Sequence, residues 1–204
     1  HGDALAAIGD LCESGALAHV DTLILEYLGE KKLEELLDKL ERGCPNISTL
    51  RFSLSEQLED RKKTMPEVLE VIQNHIIARA DKLDTLEVVI PQRTRKRRAM
   101  LEAVWEMLYQ QLEGSSGLAL RRFELHFGDY NTKMRSEDAL SGFFERLRGS
   151  TIKELGLINM GSLNERFVLG ELQEKPDHFE GLETLLINGV GSRHEDFWSA
   201  TRWL

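Results

Sequence analysis

Residues 83–90 read Leu-Asp-Thr-Leu-Glu-Val-Val-Ile. Leu86, Val88 and Ile90 fall on alternate positions, Leu83 precedes them by three residues, and Glu87 stands between two of them. Alternation of period two belongs to a strand with one buried face, because successive side chains point to opposite sides of a sheet. The phrase decides the fold through its recurrence. Apolar, two others, apolar, one other, apolar returns at Val20-Leu23-Leu25, Ile47-Leu50-Phe52, Leu83-Leu86-Val88, Leu120-Phe123-Leu125, Ile152-Leu155-Leu157 and Leu182-Leu185-Ile187. In three copies the alternation runs one step further, to Leu54, Ile90 and Phe127. The copies start 27 to 37 residues apart, a solenoid-sized period.

Between the strands the period becomes helical. Leu33, Leu36, Leu37 and Leu40 sit at i, i+3, i+4 and i+7, and Leu140, Phe143, Phe144 and Leu147 repeat the spacing. Leu101, Val104, Trp105, Leu108 and Leu112 form another stripe, and so do Met65, Leu69, Ile72 and Ile76. Thr64 with Glu67, Ser162 with Glu165 and Ser192 with Glu195 have capping-box spacing, in which the hydroxyl and the carboxylate satisfy orphan backbone donors at a helix start. A helix with Leu5, Ile8, Leu11 and Cys12 is predicted before the first strand, and Phe197 and Trp198 predict a helix running to Leu204.

Strict alternation of strand and helix allows a doubly wound sheet covered on both faces or a solenoid covered on one. Strands buried on both faces should be apolar on both. Here the residues between the last two apolar positions are Ile24, Arg51, Glu87, Glu124, Gly156 and Leu186. Charge at three of these six positions is costly beneath a helix and ordinary in water. The expectation is therefore an α/β chain with a one-sided parallel sheet of about six strands.

The strand phrase, the helix-length inserts and the period together resemble leucine-rich repeats of the ribonuclease-inhibitor-like type. The stretch Gly43-Cys44-Pro45-Asn46-Ile47-Ser48-Thr49-Leu50 is similar to the passage from helix to strand in F-box/leucine-rich-repeat proteins. The resemblance implies a right-handed solenoid with helices on its convex face, and a non-enzymatic recognition role such as substrate binding in a ubiquitin ligase adaptor. Residues 1–204 then form one repeat domain, expected to be a piece of a longer chain.

Composition agrees with a soluble recognition domain. Of 204 residues, 41% are hydrophobic, enough for a core, and 26 Lys+Arg against 35 Asp+Glu give a net charge of −9. No apolar run approaches the roughly 18 residues of a membrane span, and the first residues lack the basic start and apolar stretch of a secretory signal. Two cysteines, Cys12 and Cys44, make no disulfide framework, so a cytoplasmic or nuclear location is expected.

Catalytic chemistry finds no candidate. Asn188-Gly189-Val190-Gly191-Ser192 lacks the third glycine or the Gly-Lys-Ser/Thr ending of a phosphate loop. Neither cysteine has a base placed near it, and no Gly-x-Ser-x-Gly elbow occurs. The six histidines include no i, i+4 pair on a helix, so no metal site and no cofactor are expected. His126 is singled out because Glu124 lies two residues away on the same strand face.

Two surfaces remain for partners. Arg51, Glu87, Val89, Glu124, His126, Ile158 and Leu186 project from the uncovered strand face, a mixed polar and apolar surface suited to a protein partner and open to water. Arg93, Arg95, Lys96, Arg97 and Arg98 form a basic segment after the third strand that could dock an acidic partner, contact nucleic acid or act as a nuclear-import signal. Without interleaved aromatics it is a thin signal for nucleic acid, and a solvated loop explains it equally well. The competing class is a small open-sheet α/β enzyme or nucleotide-binding domain. Strand order separates the two, since a doubly wound sheet reverses direction at a ligand crevice.

Overall fold

The computed structural model describes residues 2–25, 33–53, 70–74, 83–90, 104, 120–127, 137–159, 162–188 and 199–200. Helix α1 (Gly2–Glu13) leads to β1 (Thr22–Leu25), α2 (Leu33–Gly43), β2 (Thr49–Ser53), β3 (Thr85–Ile90) and β4 (Arg122–Phe127). Then come α3 (Glu137–Leu147), β5 (Glu154–Ile158), α4 (Ser162–Glu174), a 3-10 helix (Pro176–Phe179), β6 (Thr184–Asn188) and the two-residue β7 (Ser199–Ala200).

All six copies of the strand phrase form strands. They pair in parallel and in chain order, β1 to β6, within one open sheet. The order never reverses among the described strands, so they contain no switch point of the doubly wound kind. At the end of the array the expected helix gives way to strand: Ser199 and Ala200 pair antiparallel with Leu186 and Leu185. Polar backbone groups at a sheet edge require partners, and this antiparallel pairing supplies them to part of β6.

A hydrogen-bond staple shows how one repeat sets the next. The carbonyl of Asp21 accepts from the backbone N–H groups of Ser48 (2.8 Å) and Thr49 (2.9 Å). The Ser48 carbonyl does the same for Asp84 and Thr85, that of Asp84 for Arg121 and Arg122, that of Arg121 for Lys153 and Glu154, and that of Lys153 for Glu183 and Thr184. Each staple joins the residue before a strand and the strand's first residue to one carbonyl of the preceding copy, which sets the register where the ladder begins. Asn46 adds a further tie, donating from Nδ2 to the Ala18 carbonyl at 2.8 Å.

The core lies on one side of the sheet. Leu50, Leu86, Phe123 and Leu155 are in register and at most 1% exposed, and Leu185 continues the row. Phe52, Val88, Leu125 and Leu157 form a second buried row beside it. Helices supply the other wall: Leu37 and Leu40 from α2, Leu140, Phe143, Phe144 and Leu147 from α3, and Val168 from α4. The Phe123 and Phe143 rings meet at 6.0 Å, and contacts through Phe144 to Phe179 carry the packing on to the 3-10 helix. Ile72 and Val104, both fully buried, are the described members of the two other predicted helical stripes.

Helix α1 packs against α2, where glycine permits close approach: a Cβ on Gly43 would lie 2.5 Å from the Cys12 Cβ. Cys12 is buried at this contact, whereas Leu11, a member of the same apolar pattern, is 45% exposed. Leu54, the capping phrases at Thr64 and Ser192, the basic segment, and Phe197, Trp198 and Trp203 lie outside the described residues.

Candidate functional site: the open sheet face

Residues one step along from the core rows point to the opposite side of the sheet. Strand pairing sets them in rows: Ile24, Arg51, Glu87, Glu124, Gly156 and Leu186 in one, and Ser53, Val89, His126 and Ile158 in the next. All seven residues expected on this face are therefore brought together. A third row holds Thr22, Thr49, Thr85, Arg122, Glu154 and Thr184.

Ion pairs organise the centre. Arg51 Nη1 lies 3.5 Å from Glu87 Oε2 on the adjacent strand. Arg122 donates from Nε to Glu124 Oε1 at 2.9 Å and also from Nη2, while its Nη1 stands 3.7 Å from Glu154 Oε2. On the other side His126 Nε2 meets Glu124 Oε2 at 3.1 Å. An ionised carboxylate only accepts, so Nε2 carries the proton in this pairing.

Glu124 corrects the expectation of a side chain standing open to water. It faces away from the core yet is only 8% exposed, held between Arg122 and His126. Gly156, its neighbour in register, makes room: a Cβ there would lie 2.8 Å from the Glu124 Cγ. The hydrogen bond from His126 and the bonds and charge of Arg122 outweigh desolvation and hold the Glu124 carboxyl down to about 2, so it is an anion at neutral pH. The same bond to Glu124 raises the Arg122 guanidinium above its usual value.

The apolar positions behave differently. Ile24 is 55% exposed, whereas Val89, Ile158 and Leu186 are half-buried among their neighbours.

The helical spacing used to look for metal ligands misses a grouping that the strands create. Ligand atoms of Glu87, Glu124 and His126 lie within 4.8 Å of one another. The usable signal was the phrase Glu-x-His on one strand together with Glu at the matching place in the preceding copy, which only the register converts into proximity. A second polar cluster, also missed, lies among the helices. Buried Glu171 accepts from Lys175 Nζ at 3.0 Å and from Ser141 at 3.5 Å, and His178 Nδ1 stands 3.3 Å from its other oxygen. This cluster joins α3, α4 and the 3-10 helix, away from the open face.

Both cysteines are free and buried, and burial is the main effect pushing each thiol up, which disfavours the nucleophilic thiolate. Among the described residues, no helix is long and apolar enough to cross a membrane. Arg93, Arg95, Lys96, Arg97 and Arg98 are not among the described residues, so the open face is the site whose geometry is defined. Comparison with known proteins gives no match among family models, curated sequences or solved structures.

Proposed function

We propose that the chain is a non-enzymatic leucine-rich-repeat recognition domain, a solenoid whose open, concave sheet face binds a protein partner. One observation carries this reading: the in-register rows around Arg51, Glu87, Glu124 and His126, presented by successive parallel strands whose other face is fully occupied by core. Side chains on a hydrogen-bonded ladder keep their spacing without a partner, and ion pairs already restrict the long ones, which lowers the ordering cost of association. Val89 and Ile158 add apolar area beside the charged centre, the mixture found at protein interfaces. The phrase Cys44-Pro45-Asn46 motivates the narrower reading of a substrate receptor of the F-box type. Strand order without reversal counts against the open-sheet enzyme alternative.

The test compares proteins captured by three forms: the parent, the face variant Arg51→Glu/Val89→Asp, and a form with Arg93, Arg95, Lys96, Arg97 and Arg98 replaced by glutamine. Unfolding curves first establish that all three are folded. A partner retained by the parent and the basic-segment variant but lost by the face variant is the expected result. Loss in the basic-segment variant alone would assign docking to that segment and overturn the proposal.

A further inference from the structure

We propose that Glu87, Glu124 and His126 form a binding site for one divalent transition-metal ion of the zinc class. Two carboxylates and an imidazole, drawn from neighbouring strands, bring their ligand atoms within 4.8 Å of one another. This donor set suits zinc, cobalt or nickel better than magnesium or calcium, which favour all-oxygen shells with more ligands.

The Glu124–His126 distance agrees with a shared ion. Two ligands each about 2.0–2.1 Å from zinc at a near-tetrahedral angle stand roughly 3.3 Å apart. Glu124 Oε2 and His126 Nε2 are 3.1 Å apart, so an ion could replace the proton between them with little displacement of either atom. Arg122 grips the other carboxylate oxygen, Oε1, and leaves Oε2 directed at the imidazole. Metal-ligating carboxylates are commonly held by such an outer hydrogen bond, so Arg122 supports the ligand from behind.

Glu87 approaches from β3, within the 4.8 Å that spans the group, and its carboxylate must turn toward the other two, because two donors of one zinc ion stand at most about 4.2 Å apart. Its pairing with Arg51 is long, at 3.5 Å, and the arginine side chain is 41% exposed, so this bond competes weakly. Among the described residues, the carboxylates of Glu87, Glu124, Glu154 and Glu183 are linked to the guanidiniums of Arg51, Arg121 and Arg122, four anions against three cations. The backbone ladder fixes the strand positions from which the three donors project. Three protein ligands on an open face leave room for water, or for a donor from a bound partner, to complete the shell.

The site depends on these side chains whether or not a protein partner docks on the face, so its test is separate from partner capture. Chelator-treated protein is titrated with ZnCl2 against a chromophoric zinc indicator, and with CoCl2 while visible absorption is recorded. The expected result is one equivalent bound in the micromolar range, with cobalt bands of low-coordinate intensity. Glu87→Gln and His126→Ala should each weaken binding roughly tenfold or more, and His19→Ala should leave it unchanged. If His126→Ala lowers the folded fraction, the half-buried Glu87→Gln decides by the same criterion. Absence of binding in the micromolar range, or a titration that Glu87→Gln does not alter, overturns the proposal.

Discussion

The two faces of the same strands obey different rules. On one, Leu50, Leu86, Phe123, Leu155 and Leu185 are uniformly apolar and at most 8% exposed. On the other, one residue along, stand Arg51, Glu87, Glu124, Gly156 and Leu186, no two adjacent ones alike except the two glutamates. Leu185 and Glu124 have the same 8% exposure and reach it by opposite means. Leucine is buried by exclusion of water, which any well-fitting apolar side chain achieves. Glutamate is buried by specific hydrogen bonds, each with one geometry and one partner. The core face can therefore repeat, while the open face can vary from strand to strand and carry information.

Substitutions should separate the two rules. The largest effect is expected on the apolar face: Leu86→Ala should cost about 2–5 kcal/mol in equilibrium urea unfolding, because strand and helix cannot close over the void. A cost below about 0.5 kcal/mol, within the range of ordinary surface changes, would contradict the burial of this row.

Next in size is the acid response of Glu124. Its folded value of about 2 lies below the ordinary carboxylate value of 4.5, so its stabilisation is complete above about 4.5 and is lost as pH falls through about 2. The shift corresponds to on the order of 2–3 kcal/mol. Unfolding free energies of parent and Glu124→Gln, measured from pH 7 to pH 2.5, should differ most at neutral pH and converge in acid. Parallel curves would show that the carboxylate is not held as described.

A smaller effect should follow from Gly156→Ala, about 1 kcal/mol of destabilisation, since the new methyl meets a Glu124 side chain pinned at both oxygens. In a double-mutant cycle with Glu124→Ala most of that cost should vanish. The smallest is Arg51→Gln, below about 1 kcal/mol and weaker in high salt, as expected for a partly exposed pair.

Most of the strand framework was legible beforehand because burial leaves a periodic trace. The six apolar phrases mark the six parallel strands, and Phe143 and Phe144 lie in the core where helical spacing puts them. Arg51 and Glu87 occupy equivalent positions in successive copies, which register makes neighbours across β2 and β3. The chain end did not follow: Ser199 and Ala200 were read with a helix because the aromatic residues before them suggest one, whereas edge pairing with β6 is a long-range effect without a local signature.

The open face divides the same way. The sequence by itself determined which residues point away from the core, because alternation along a strand is a property of the backbone. Only the tertiary structure decided that Glu124 is enclosed there, through Arg122 and His126 on its own strand and the missing side chain of Gly156 on the next. It also decided that Glu87 joins Glu124 and His126 in one donor group. The physical reason is distance. Hydrophobic burial is non-directional and averages over many neighbours, so its pattern survives in one dimension. Hydrogen bonds and metal coordination act over about 2–3 Å between particular atoms, and that precision exists only after strands distant in sequence are brought into register.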